Sequence, residues 1–402
     1  MDWLKRDEQA LMNTYRRLPI VIKEGQGSYL IDEENRRYLD FITGLAVNIV
    51  GHSHPAIMET LQEQGTKFLH ISNLYVNKPA VELAEKLSEK TIGGKVFFAN
   101  SGAEATEAVI KLIHKWSKQQ DFAKKGVVVL KRSFHGRTLG AMKLTRQEGV
   151  YQDFPLHDLP VYEVEPEDVH GLKEVLEQYQ PAAVLLEPVL GSGGVVPLSH
   201  DYLQQIESLC NEHDALFCMD EIQTGMGRTG TLFAYMQATV TPDVVLFAKG
   251  VGGGLPLGGM IVDPRLNDLF APGDHGTTFA PSPLSCALGL TVLDLLEEGL
   301  LAHSRTVASH LQESLETLQK EFPSLLESYR GKGMMMGLPT KLSAQQVATI
   351  QQKMIAKGVL VDVTQGTIIR LLPPLIVSQE EVNAFIACFK TVLDEMEQEL
   401  NE

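Results

Sequence analysis

The stretch Leu216-Phe217-Cys218-Met219-Asp220-Glu221-Ile222-Gln223, read together with Val244-Val245-Leu246-Phe247-Ala248-Lys249-Gly250-Val251-Gly252-Gly253-Gly254, decides the fold of this chain. Each part is an apolar run of strand length that ends in a charged residue, Asp220 in one and Lys249 in the other. A run of this kind reads as a buried strand that delivers its last group to the sheet's carboxyl edge, where open α/β sheets place their active sites. Glycines crowd Lys249 and open the backbone around it. Near low-dielectric walls an ammonium is disfavoured, so a lysine there presents a free amine able to condense with an aldehyde. Asp220 is the kind of carboxylate that holds a protonated heteroaromatic nitrogen.

Two other readings of this stretch fail. LFCMDE also describes the magnesium-binding strand of P-loop ATPases, but that requires a G-x-x-x-x-G-K-[S/T] loop, which the chain lacks. Gly225-Met226-Gly227-Arg228-Thr229-Gly230 is a literal G-x-G-x-x-G, yet it runs into Thr231-Leu232-Phe233 instead of joining a first strand to a helix. It reads as a loop, not a dinucleotide site.

Outward from the stretch, seven short apolar runs recur between about residues 95 and 262: KVFFAN, GVVVLK, LPVYEV, AAVLLEP, ALFCMDE, DVVLFA and GGMIV. Helix-patterned segments intervene at Ala103–Gln119, Val169–Tyr179 and Asp201–Asp214. The alternation predicts a mostly parallel sheet with helices on both faces. Before it, Gly27–Asp32 and Arg37–Phe41 flank a polar turn and read as a hairpin. After it come amphipathic helices at Pro283–Glu298 and Leu301–Phe322, then alternating strand and helix, predicting a smaller α+β domain with the hairpin packed nearby. The expected division is an N-terminal segment 1–45 packing with the small domain, a large domain 46–300 and a small domain 301–402.

Composition narrows the function. With 35 Lys and Arg against 51 Asp and Glu, the net charge of −16 argues against nucleic acid and anionic membranes as partners. Carboxylate substrates would then need individual arginines to create local positive potential. Cys210, Cys218, Cys286 and Cys388 have neither C-x-x-C nor metal spacing and read as reduced, packed thiols of a cytoplasmic protein. The N-terminus lacks the apolar core of a signal peptide, and no window reaches membrane-spanning length. His52 and His54 in GHSHP have no third ligand within reach and read as a glycine/proline turn, so no metal is expected.

Ser101-Gly102-Ala103-Glu104 joins a strand to a helix. It reads either as an ordinary capping box or as a phosphate seat, with free N–H groups at a helix start opened by Gly102. Together with Lys249 and Asp220, the phosphate reading is favoured. Phe134, in FHGR after GVVVLK, is either core or a ring that stacks on a flat heteroaromatic.

SGAEA, FHGRT, DEIQTGMGRTG, AKGVGGGLPLGG, HGTTF and RLLPPL, in this order, resemble the class III (ω-amino) aminotransferases dependent on pyridoxal 5′-phosphate (PLP), most closely their acetylornithine aminotransferases. The resemblance runs from about Tyr15 to the C-terminus. It implies the fold-type I architecture: a large PLP-binding domain with a seven-stranded, mostly parallel sheet, a small α+β domain, and active sites shared across a homodimer. By the same resemblance Lys249 is the lysine that binds the cofactor, Asp220 the partner of its ring nitrogen, and Gln223 the residue near its phenolic oxygen. Phe134 is the stacking aromatic, and the Ser101-Gly102-Ala103 turn binds the phosphate through its amides. Thr278 is the phosphate ligand from the other subunit. Thr277 and Arg137 contact acetylornithine, Arg137 through a carboxylate, and Arg370 holds the α-carboxylate of glutamate.

The chain departs from the family at Glu187-Pro188-Val189-Leu190-Gly191-Ser192-Gly193-Gly194. The family commonly has Gln where this chain has Leu190, and at Ser192 a Glu that caps the carboxylate-binding arginine. Serine there predicts an Arg370 without an anionic partner, unless another carboxylate takes that place. APSP after HGTTF is a second departure. The reaction implied is amino transfer from the δ-amine of N-acetylornithine to 2-oxoglutarate. The alternatives are another ω-amine (ornithine, succinylornithine, 4-aminobutyrate, a diamine or a lysine-pathway amine), an aminomutase on the same fold, or a non-catalytic binding protein.

Overall fold

Short runs without polar alternation form strands buried on both faces, and here five such strands supply the centre of one sheet whose two edge strands are partly exposed. The computed structural model describes residues 2–120, 123–152, 154 and 158–402. The strands are β1 (Val96–Ala99), β2 (Val127–Leu130), β3 (Val161–Val164), β4 (Ala183–Leu186), β5 (Leu216–Asp220), β6 (Val244–Phe247) and β7 (Gly258–Val262). They form a seven-stranded sheet in the order β1-β7-β6-β5-β4-β2-β3. β7 runs antiparallel to β6 and to β1, and the remaining neighbours are parallel.

Alternate residues of each strand feed different cores, as the two-residue period of a strand requires. Phe217 and Met219 of β5 share one apolar cluster with Val245 and Phe247 of β6, and helices Val169–Tyr179, His200–Glu212 and Pro283–Leu295 cover that face. Leu216, Cys218, Val244 and Leu246 point the other way, into a cluster closed by helix Gly102–Gln119. Ser101, Asp168 and Ser199 cap three of these helices through their side chains.

The N-terminal hairpin forms as Tyr29–Asp32 and Arg37–Asp40. A third strand, Ile22–Gln26, escapes the sequence pattern because it is a mostly exposed edge with an irregular register. Val359–Leu360 pairs in parallel with Arg37–Asp40, which ties the hairpin to the C-terminal region. A second antiparallel sheet has Arg330–Lys332, Met335–Pro339, Ile368–Leu371 and Asp362–Thr364 in that order. Helices Leu301–Glu321, Ala344–Ala356 and Gln379–Asn401 accompany it. The helix expected over Pro283–Glu298 ends at Leu295, and a wider turn, Leu296–Leu300, leads into Leu301–Glu321. Gly299, at φ 131°, takes a backbone conformation that side chains disfavour.

Candidate active site

The carboxyl ends of β1, β2, β4, β5 and β6 lie on the same edge of the sheet, because β7 is the reversed strand. Asn100 and Ser101 follow β1, Phe134 and His135 follow β2, Glu187 follows β4, Asp220 ends β5 and Lys249 follows β6. These residues line one cavity of about 540 Å³, together with Gly102, Ala103, Arg137, Ser192 and Gln223. Eight of the residues singled out in the sequence (Ser101, Gly102, Ala103, Phe134, Arg137, Asp220, Gln223 and Lys249) are therefore brought together.

Lys249 holds a left-handed backbone, φ 51°, at the start of the turn Lys249–Gly252. Such a conformation is costly for a residue with a Cβ and persists where the surroundings impose it. The glycines around it have a steric reason: a Cβ on Gly250 would lie 2.9 Å from Ile49 Cγ2. Burial, aided by the nearby Arg370 charge and opposed by Asp220 and Glu187, lowers the Lys249 ammonium to about 8. The amine is thus far more available near neutrality than that of an exposed lysine.

Asp220 is buried and holds two contacts. His135 Nδ1 lies 2.7 Å from its Oδ2, and Ile222 N–H donates to its Oδ1 at 3.1 Å. A carboxylate only accepts, so the imidazole proton is assigned to Nδ1. Glu187 Oε1 accepts from Phe134 N–H at 2.9 Å and Oε2 from Gly191 N–H at 3.2 Å, which fixes the turn carrying the aromatic ring. Burial pushes the Glu187 carboxyl up to about 7; His135 and the two amides oppose this, and Asp220 reinforces it.

At the helix start, the Ser101 side chain accepts from Glu104 N–H at 3.2 Å. The reciprocal half of a capping box is not made: the Glu104 carboxylate instead accepts from Asn100 N–H and Asn100 Nδ2, both at 2.9 Å. The amides of Gly102 and Ala103, at the first helical positions, have no acceptor among the described residues. A side chain on Gly102 would collide with Ile222, its Cβ lying 2.8 Å from Cδ1.

Arg370 corrects an expectation. It is buried and not unpartnered: Nε and Nη2 donate to Asp362 Oδ2 at 2.8 and 2.6 Å. Nη1 donates to Gln223 Oε1 at 3.3 Å. The carboxylate comes from the neighbouring strand, where Asp362 and Arg370 are direct partners. Arg370 does not itself line the cavity and reaches it through Gln223. Arg137 is exposed at the cavity, with its guanidinium carbon 5.9 Å from the Phe134 ring centre.

Thr277 and Thr278 are not brought into this cavity. Thr277 Oγ1 accepts from Asn100 Nδ2 at 2.8 Å, while Thr278 is exposed. His135, Glu187, Asn100 and Asp362 were missed by sequence reasoning. Glu187 had the same signal as Asp220, an apolar run ending in an acid. The other three had none, because their roles arise from contacts between distant segments. His52, read as part of a turn, has its Nε2 2.8 Å from Asp40 Oδ2.

The residues present fit the phosphate, ring and aldehyde of PLP: two unpartnered helix-start amides, an aromatic face, a buried carboxylate and a lysine of lowered basicity. Fold and site define a PLP-dependent transferase of the fold-type I architecture. The family model described as aminotransferase class-III matches residues 10–393, and the chain belongs to that family. It is similar to the acetylornithine aminotransferase of Caldanaerobacter subterraneus subsp. tengcongensis, at 40% identity over 97% of this chain and 98% of the relative. A solved acetylornithine aminotransferase from Elizabethkingia anophelis is 30% identical, covers 98% of each chain and superposes with a TM-score of 0.88. The ornithine aminotransferase of Toxoplasma gondii is 26% identical, with a TM-score of 0.93 over 99% of this chain and 95% of that one. Among the described residues no helix is long and apolar enough to cross a membrane.

Proposed function

We propose that this transaminase moves the δ-amino group of N-acetylornithine to 2-oxoglutarate, giving N-acetylglutamate semialdehyde and glutamate in arginine biosynthesis. The observation that carries this reading is that Asp220, at the end of β5, and Lys249, in the turn just after the adjacent parallel strand β6, line one cavity with an arginine at its opening and another behind Gln223. The names of the relatives support the donor. PLP, when bound, supplies an aldehyde that condenses with amines and a ring that accepts electrons from the reacting carbon.

In this reading Lys249 holds the cofactor and, once freed, takes the proton from the substrate carbon with its Nζ, a base poised near the working pH. Asp220, oriented by His135, keeps a proton on the ring nitrogen. Gln223 would serve the cofactor's phenolic oxygen, Phe134 would offer its face to the ring, and the Ser101-Gly102-Ala103 turn would hold the phosphate. Thr278 completes the phosphate site of a partner subunit in a homodimer, which agrees with its exposure on its own chain. Arg137 and Thr277 receive the distal end of the donor, and Arg370 the α-carboxylate of glutamate. We assign residues 46–300 to the large domain, with 1–45 packing on the small domain 301–402, and place the protein in the cytoplasm.

The test is a donor screen with 2-oxoglutarate, quantifying glutamate formed. N-acetylornithine should give the highest kcat/KM. A higher value with ornithine would favour the second reading, which the fit to the Toxoplasma enzyme supports.

A further inference from the structure

Asp362 has no task in the reaction as described, yet it makes the closest charge contact of Arg370. A guanidinium has two edges suited to carboxylates, one formed by Nε with a terminal nitrogen and one by both terminal nitrogens. Asp362 occupies the first. The second faces Gln223, whose Oε1 accepts from Nη1. Gln223 reaches that position past a glycine, since a Cβ on Gly191 would lie 2.1 Å from its Oε1.

The acid is fixed in place. Asp362 and Arg370 face each other across two antiparallel strands, so the register of the sheet holds the pair together. The turn bearing Ser192 is tied to the same strand region: Ser192 C=O accepts from Thr364 Oγ1 at 2.9 Å and from Gln365 Nε2 at 2.7 Å. Ser192 itself brings no charge to the cavity.

We propose that Asp362 is a specificity-determining residue, a fixed counter-charge that neutralises Arg370 throughout the reaction. The proposal rests on the ω-amine reading above. A donor approaching through its ω-amine then meets a neutral pair instead of a bare buried cation. A substrate carboxylate at Arg370 must displace Gln223 from the free edge and bind against a resident negative charge, and in a partly buried site that repulsion is weakly screened. A counter-charge that moved aside would impose no such repulsion. This one stays, so carboxylate binding is weaker and discrimination between ω- and α-amines is kept without moving parts.

The experiment uses the PLP-loaded protein and its Asp362→Asn variant, with Asp362→Ser as a second removal of the charge in case the first does not fold. Calorimetric titration with glutarate, an unreactive dicarboxylate, reads the binding at Arg370 without depending on the donor's identity. Its Kd should fall about ten-fold in either variant. In single half-reactions the rate ratio of glutamate to N-acetylornithine should rise by about the same factor, and taking both on one enzyme form cancels any general damage. Glutarate binding unchanged within two-fold, or weakened, in whichever variant folds overturns the assignment of Asp362. A parent that reacts with glutamate but not with N-acetylornithine instead sinks the donor reading, and the glutarate result still decides on Asp362.

Discussion

His135 and Asp220 form a buried pair at the carboxyl edge of the sheet, with Nδ1 and Oδ2 2.7 Å apart. His135 comes from the loop after β2 and Asp220 from the end of β5, so the pair joins segments far apart in the chain. A buried carboxylate facing a ring nitrogen needs its other lone pairs satisfied, and His135 and the Ile222 amide supply those contacts.

Replacing His135 by Phe should therefore weaken Asp220 without removing it. We expect the half-reaction with the amine donor to slow about ten-fold or more, the scale of losing an outer partner that orients a functional group. Asp220→Ala should slow it by about a hundred-fold or more, with an intact fold. Rapid-mixing spectroscopy of the loaded variants measures both. A His135→Phe enzyme as fast as the parent would show that the pair is only structural.

Lys249→Ala removes both the amine that holds the cofactor and the base. Turnover should vanish, while PLP can still be retained through the helix-start amides and the aromatic face. Near-native turnover by the purified variant would end the assignment.

The lowered basicity of Lys249 predicts a pH profile. Its protonated form is disfavoured by burial, with a midpoint of about 8, so the reactive free amine increases up to that pH and then saturates. The rate of PLP uptake by cofactor-free protein should rise about ten-fold per pH unit below the midpoint and flatten above it. A rise that continues towards 10.5, the ordinary lysine value, would contradict the burial argument. The same sign applies to stability. A lysine whose basicity falls on folding disfavours the folded state most below pH 8, and that penalty is relieved as pH climbs from about 8 to 10.5.

Shared sites are tested by complementation. Lys249→Ala subunits are mixed with subunits carrying Thr278→Trp, under conditions where exchange is shown independently. If Thr278 serves the neighbouring site, a mixed dimer concentrates both lesions in one site and leaves the other intact, so activity should return. Restoration of nothing would rule out the exchange of Thr278 between subunits.

The sequence by itself determined the sheet and the residues at its edge. The seven apolar runs became the seven strands: five are buried along their whole length and need nothing but apolar side chains and a polar group where they emerge, while the edge strands Val96–Ala99 and Val161–Val164 stay partly exposed. Asp220 and Lys249 were legible for that reason, and Glu187 could have been read by the same rule. Tertiary structure decided the contacts between segments. Local sequence does not state that His135 meets Asp220, that Glu104 turns to Asn100 instead of completing a capping box, or that Asp362 stands opposite Arg370. The last case shows the physical reason most directly. Ser192 implied a missing counter-charge, but charge neutralisation in a buried site depends on distance in space, and the pairing of two C-terminal strands supplied a carboxylate that linear sequence reading had not marked.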